Sequence, residues 1–111
     1  MQVFVRGQGI ELTEDVRERA ERSLGFALGR FSPRIERVTV RLVDMNGPRG
    51  GVDKRCRIEV KLRSTGRVLI EEIAPSLQRA IDRAADRAAR ATDRSLKRRR
   101  EPGPLLAVRR R

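Results

Sequence analysis

Residues 76–100 read SLQRAIDRAADRAARATDRSLKRRR. On a helix at about 100° per residue, Leu77, Ala80, Ile81, Ala84, Ala85, Ala88, Ala91 and Thr92 fall on one broad face. Arg79, Arg83, Arg87, Arg90, Arg94, Lys97 and Arg98 fall together on another flank, and Asp82, Asp86 and Asp93 form a narrow strip between the two. The spacing predicts a three-striped helix with a small-residue face to pack, a thin acidic line and a cationic ridge. Asp86–Arg90 and Asp93–Lys97 are i,i+4 pairs, each worth only a few tenths of a kcal/mol. The segment holds nine Lys/Arg against three Asp, so most of the ridge has no local partner. Uncompensated charge on one flank repels itself, and a polyanion would relieve it. The plainer reading is a solvated face laced by salt bridges.

A helix with one apolar stripe needs a surface to cover, and the residues before it supply strands. Arg67–Ile73 (RVLIEEI) reads as a strand, and Pro75 suits the start of the helix that follows. Ser64-Thr65-Gly66 reads as a hairpin turn. Lys54–Arg63 alternates cleanly, with Cys56, Ile58, Val60 and Leu62 inward and Arg55, Arg57, Glu59, Lys61 and Arg63 outward. Met45–Asp53 (MNGPRGGVD) is a turn-rich loop. It is no phosphate-cradling loop, because no Gly-Lys-Ser/Thr follows and no helix begins there. Ile35–Asp44 sets Val38, Val40 and Leu42 against Arg37, Thr39 and Arg41, and Val43 breaks the outer polar row.

Met1–Arg6 alternates as a further strand, ended by Gly7-Gln8-Gly9. Thr13 has the character of a helix N-cap, with Glu14 and Asp15 at the positive end of the dipole. Val16, Ala20, Leu24, Ala27, Leu28 and Phe31 keep helical spacing to about Phe31, and Pro33 closes the segment. Phe26 lies off that stripe, beside Arg19, Arg22 and Arg30. Either it packs under a loop or a neighbouring strand, or it is an aromatic placed to stack on a base. Beyond Arg100 the chain reads EPGPLLAVRRR, a basic tail (101–111) predicted to be disordered.

The order is therefore β-α-β-β-β-α. The predicted fold is α+β, a four-stranded sheet with two helices packed on one face and strands two to four in an antiparallel meander. The opposite face would carry Arg37, Arg41, Arg55, Arg57 and Lys61 and reads as the ordinary solvated side of such a sheet. Residues 1–100 form one expected domain.

The 111 residues carry a net charge of +12, concentrated in the last third, where 12 basic residues face 4 acidic ones. The chain has no histidine, which removes histidine bases, triads and metal sites. Its one cysteine, Cys56, sits in a strand alternation and reads as a buried small hydrophobe. No apolar run is long enough to span a membrane and the N-terminus has no signal-peptide pattern, so a cytoplasmic protein is expected.

The opening MQVFVRGQGIELTEDVRERAERSL resembles the start of the ribosome hibernation-promoting factors, a family that includes ribosome-associated inhibitor A. The match rests on Met1 and Gln2, Gly7, then Glu11, Leu12, Thr13 and Glu14, with Arg17 and Glu18 following. A second match is Ala80-Ile81-Asp82, with Asp86 and Arg87, Arg90, Arg94 and Arg98 after it. The resemblance covers about residues 1–100, in order, and is to the family's short form. It implies a protein that binds the small ribosomal subunit between head and body, through ribosomal RNA, on ground used by messenger and transfer RNA. It implies rRNA contacts at Arg87, Arg90, Arg94 and Arg98. Arg79, Arg83 and Lys97 join them on charge geometry.

The family often has an acidic residue and a tyrosine just before the last helix, where this chain has Pro75, Ser76 and Leu77. It also has lysines late in the first helix. Here Ser23, Gly25 and Phe26 stand in that region, and Arg22 and Arg30 are the basic residues left to contact RNA.

The reading expects no cofactor, no metal, no small-molecule substrate, no membrane association and no catalysis, in a chain that is monomeric when free. Three other readings are weighed against it. A double-stranded RNA-binding domain shares the β-β-β-α half but concentrates lysine at the start of its last helix. An enzyme would have to rest on carboxylates such as Glu71 and Glu72, or Asp82 and Asp86. A protein-binding regulator would use the alanine face for a partner helix.

Overall fold

The computed structural model describes residues 1–45, 53–64 and 66–100. The middle of the expected glycine-rich loop, Thr65 of the expected hairpin turn and the expected tail lie outside the described residues. The elements are β1 (Gln2–Gln8), α1 (Glu14–Leu28), β2 (Ile35–Asp44), β3 (Lys54–Leu62), β4 (Arg67–Ala74) and α2 (Leu77–Arg100). This is the predicted β-α-β-β-β-α order. The sheet runs β1-β2-β3-β4, with β2, β3 and β4 antiparallel and β1 parallel to β2. A parallel neighbour requires a crossover, and α1 is that crossover.

Alternation decides which side of the sheet is covered. Val5, Val38, Val40, Leu42, Cys56, Ile58, Val60, Val68 and Ile70 turn to the helical side and are buried. From above, Ala20, Leu24 and Leu28 of α1 and Ala80, Ile81, Ala84, Ala85 and Ala88 of α2 close the core. The alanine stripe is thus used by the chain's own sheet. Leu96, which the helical wheel left off that stripe, is also buried at 5% exposure.

Each helix begins as its sequence dictates. The Thr13 hydroxyl oxygen accepts from the Val16 amide at 3.2 Å, and Glu14 and Asp15 occupy the first turn of α1. At α2 the Ser76 hydroxyl accepts from the Arg79 amide at 3.2 Å. Pro75 therefore stands before the cap rather than at the first helical position. The first helix ends at Leu28, earlier than the apolar spacing predicts. Gly29–Arg34 tightens into a 3-10 segment that contains Pro33 and buries Phe31. Strand β1 runs two residues past Arg6. Beyond it the chain turns at Gly9, whose φ of 67° favours glycine. Gly7 is required for another reason, since a Cβ there would lie 2.9 Å from Leu12 Cγ.

Cys56 is fully buried in β3, beside Glu72 of β4. Burial, with the Glu72 charge adding, pushes its thiol up from an ordinary 9.0 to about 12. Lys54 is also raised, first by its hydrogen bond to Asp53 at 2.8 Å. Both shifts are upward, so each group's contribution to stability is intact below its unfolded value and is lost as pH rises toward the folded one. Resistance to urea is expected to hold at pH 8 and to fall between pH 9 and pH 12. The folded thiol is expected to stay inert to a thiol reagent at pH 8 and to react once the chain is unfolded.

Candidate nucleic-acid interface

The ridge exists because α2 spends its small residues on the sheet and turns its long cationic ones away from it. Arg79, Arg83, Arg94 and Arg98 are exposed and make no ion pair among the described residues. Arg90 pairs with Asp86 at 3.2 Å and Lys97 with Asp93 at 3.1 Å, the two i,i+4 pairs expected from spacing. Exposed pairs of this kind are weak and give way to a better anion.

Arg87 is different. It donates to the Glu72 carboxylate and, at 3.1 Å, to the Glu71 carbonyl, tying α2 to β4. It lies on the expected ridge but is partly committed to holding the fold. The sequence carried no local signal for this, because the partner is on another element.

The acidic strip is split. Asp82 faces α1 and accepts from Arg19 and from the Ser23 hydroxyl, both at 2.9 Å. That clasp sets the two helices side by side. The carboxylates on which an enzyme reading would rest are each paired: Glu71 with Arg55 at 3.6 Å, Glu72 with Arg87, Asp82 with Arg19 and Asp86 with Arg90. Among the described residues no group of three His, Cys, Asp or Glu side chains could hold a metal ion, and no helix is long and apolar enough to cross a membrane.

Of the two basic residues expected from the first helix, Arg30 lies past the end of α1, with its guanidinium 4.6 Å from the Phe31 ring centroid. Arg22 is exposed and lines a recess with Arg19, Ser23 and Phe26. Phe26 follows only one of its two alternatives, that of an uncovered ring. It packs under neither a loop nor a strand and is 94% exposed. Its ring stands at the mouth of a cleft of about 530 Å³ between α1 and α2, which Ala27, Arg30, Ala85 and Asp86 also line. The candidate interface is therefore the ridge of α2, with Arg22, Arg30 and an unburied aromatic ring nearby on the α1 side. Arginine guanidinium groups can bind phosphate oxygens in pairs, and an aromatic face can carry a base.

A family model described as "Sigma 54 modulation protein / S30EA ribosomal protein" matches residues 3–100. The N-terminal domain of Thermus thermophilus Protein Y, in its crystal structure, is similar to this chain with a TM-score of 0.70 and 29% sequence identity. That likeness covers 86% of this chain and 99% of that one. A ribosomal subunit interface protein from Coxiella burnetii is similar with a TM-score of 0.71 and 15% identity, covering 87% of this chain and 99% of that one; at that identity the likeness is of fold. Among curated protein sequences none matches.

Proposed function

The chain belongs to the Sigma 54 modulation protein / S30EA ribosomal protein family, and from that premise we propose that it is a hibernation factor of the small ribosomal subunit. Arg79, Arg83, Arg94 and Arg98 lie on ribosomal RNA phosphates, joined by Arg90 and Lys97 once their weak pairs open. Arg87, Arg22 and Arg30 complete the contact. The bound domain, residues 1–100, excludes messenger and transfer RNA by occupying their ground, and the basic tail adds electrostatic contacts. The mechanism is steric and electrostatic and requires no catalysis or cofactor. The free protein is a monomer and acts where ribosomes are, in the cytoplasm.

The observation that carries this reading is the line of exposed, unpaired arginines along one helix. The likeness to the Protein Y domain supports it. Phosphate contacts release counterions, so affinity should fall steeply with salt.

Co-sedimentation with separated ribosomal subunits at low and moderate salt tests the proposal. Saturable binding to the small subunit, displaced by messenger and transfer RNA, is the expected result. Equal binding to both subunits and to any RNA duplex would overturn it in favour of a general RNA-binding domain. In the same assay Phe26→Ala is expected to weaken binding by about 5- to 100-fold, the range for losing one stacked base. Its melting temperature should change little, because the side chain is almost wholly exposed.

A further inference from the structure

The helix ridge leaves a second set of arginines unexplained, on the open face of the sheet. The pairing register places Arg6 of β1 beside Arg41 of β2, and Arg41 beside Arg57 of β3. Strands lie about 4.8 Å apart, so three guanidinium-bearing residues stand abreast within about 10 Å. Like charges directly opposite one another in a sheet are destabilising. Arg6, Arg37, Arg41 and Arg57 are all exposed and make no ion pair among the described residues. The nearby acids are committed elsewhere: Glu59 to Arg67 at 2.8 Å, Glu71 to Arg55 at 3.6 Å and Glu36 to Lys61 at 3.7 Å.

The row between the charges is of another kind. Phe4, Thr39, Glu59 and Leu69 lie side by side across the four strands, and its two ends, Phe4 and Leu69, are 44% and 54% exposed. On one side of that row lie Arg37, Lys61 and Arg67; on the other lie Arg6, Arg41 and Arg57, with Glu71, which pairs with Arg55, next to Arg57 on β4. A hollow of about 310 Å³ is lined by Phe4, Arg6, Arg37 and Thr39, so the ring and two unpaired guanidinium groups border one space. An ordinary solvated sheet face has no need of this order.

We propose that the open sheet face is a second RNA-binding surface that takes a single-stranded segment. Its phosphates lie on Arg6, Arg37, Arg41 and Arg57, and one base stacks on Phe4. The inference rests on the RNA-binding reading above and adds a second face to it. An acidic peptide could meet the arginines but offers no planar ring to Phe4, whereas single-stranded RNA offers both groups at every nucleotide. Both helices cover the other face of the sheet, so the ridge of α2 lies outside the open face.

The test uses the full chain carrying Arg79→Gln, Arg83→Gln, Arg94→Gln and Arg98→Gln, which removes all four arginines of the ridge that make no ion pair among the described residues. Binding of a labelled oligouridine of about twelve nucleotides is followed by fluorescence anisotropy, within the range of site sizes for such surfaces. The ridge-silenced protein is expected to bind. Adding Arg6→Gln, Arg41→Gln and Arg57→Gln should weaken binding by at least about tenfold and lower the salt slope by about 2, the value for three contacts to a single strand. Amide shifts on titration should fall on β1, β2 and β3. Circular dichroism melts check that both proteins fold.

No binding in the ridge-silenced protein, no effect of the sheet substitutions, or shifts confined to the helices would each overturn the proposal. So would displacement of the RNA by polyglutamate at equal charge, which would indicate an acidic protein partner. Because the probe is a free oligonucleotide, this result stands apart from small-subunit binding, whose failure would count against the hibernation reading alone.

Discussion

Replacing Arg83, Arg94 and Arg98 together by glutamate is expected to abolish binding to the small ribosomal subunit with the fold intact. The three side chains are exposed and make no ion pair among the described residues, so the folded state loses no contact when they change. Bound to RNA, each would make a charge-assisted hydrogen bond worth about 1.5–3 kcal/mol, so losing three weakens binding by at least about a thousandfold. The reversed charge then adds repulsion. The slope of affinity against salt should fall by about 2 to 3. Co-sedimentation across a salt series reads both effects. Arg87 is left out deliberately. Its reversal would also break the tie to Glu72 and the Glu71 carbonyl, mixing lost binding with a loosened helix.

Leu24→Ala is expected to have the largest effect on stability, about 2–5 kcal/mol, because it removes most of a fully buried side chain and leaves a cavity between α1 and the sheet. Domains of this size have about 5–15 kcal/mol in total. Each kcal/mol moves the melting temperature by about 4–8 °C, so a fall of about 10 °C or more should appear in a thermal melt. Two positions along the same helix, Phe26→Ala should change the melt by less than about 0.5 kcal/mol. Together the two variants separate the buried stripe of α1 from its exposed flank.

The elements themselves could be read in the chain because each carries its own period. Cys56, Ile58, Val60 and Leu62 alternate without interruption, and the alanines of α2 recur at helical spacing. The ridge could be read for the same reason, as a single-element property. What could not be read depends on neighbours distant in sequence. Nothing in residues 1–8 says that β1 lies parallel against β2, and only that placement brings Arg6 beside Arg41. Nothing in α2 says that Arg87 will meet Glu72. Leu96 is buried although the wheel puts it at the rim of the stripe. Phe26 stayed ambiguous because an aromatic on a polar flank can be covered by a loop or left bare, and only the packed structure separates the two.

The helix that bears the ridge is also the lid of the core: Ala80, Ile81, Ala84 and Ala88 cover the apolar side of β3 and β4. During synthesis it follows every other described element. Until it is complete, Ile58, Val60, Val68 and Ile70 lack their cover and the chain lacks its main cationic surface. A copy cut short before α2 would therefore leave that apolar side bare and, on the reading proposed above, lack its main RNA contacts. Closure of the core and completion of the helical cationic surface arrive as one event.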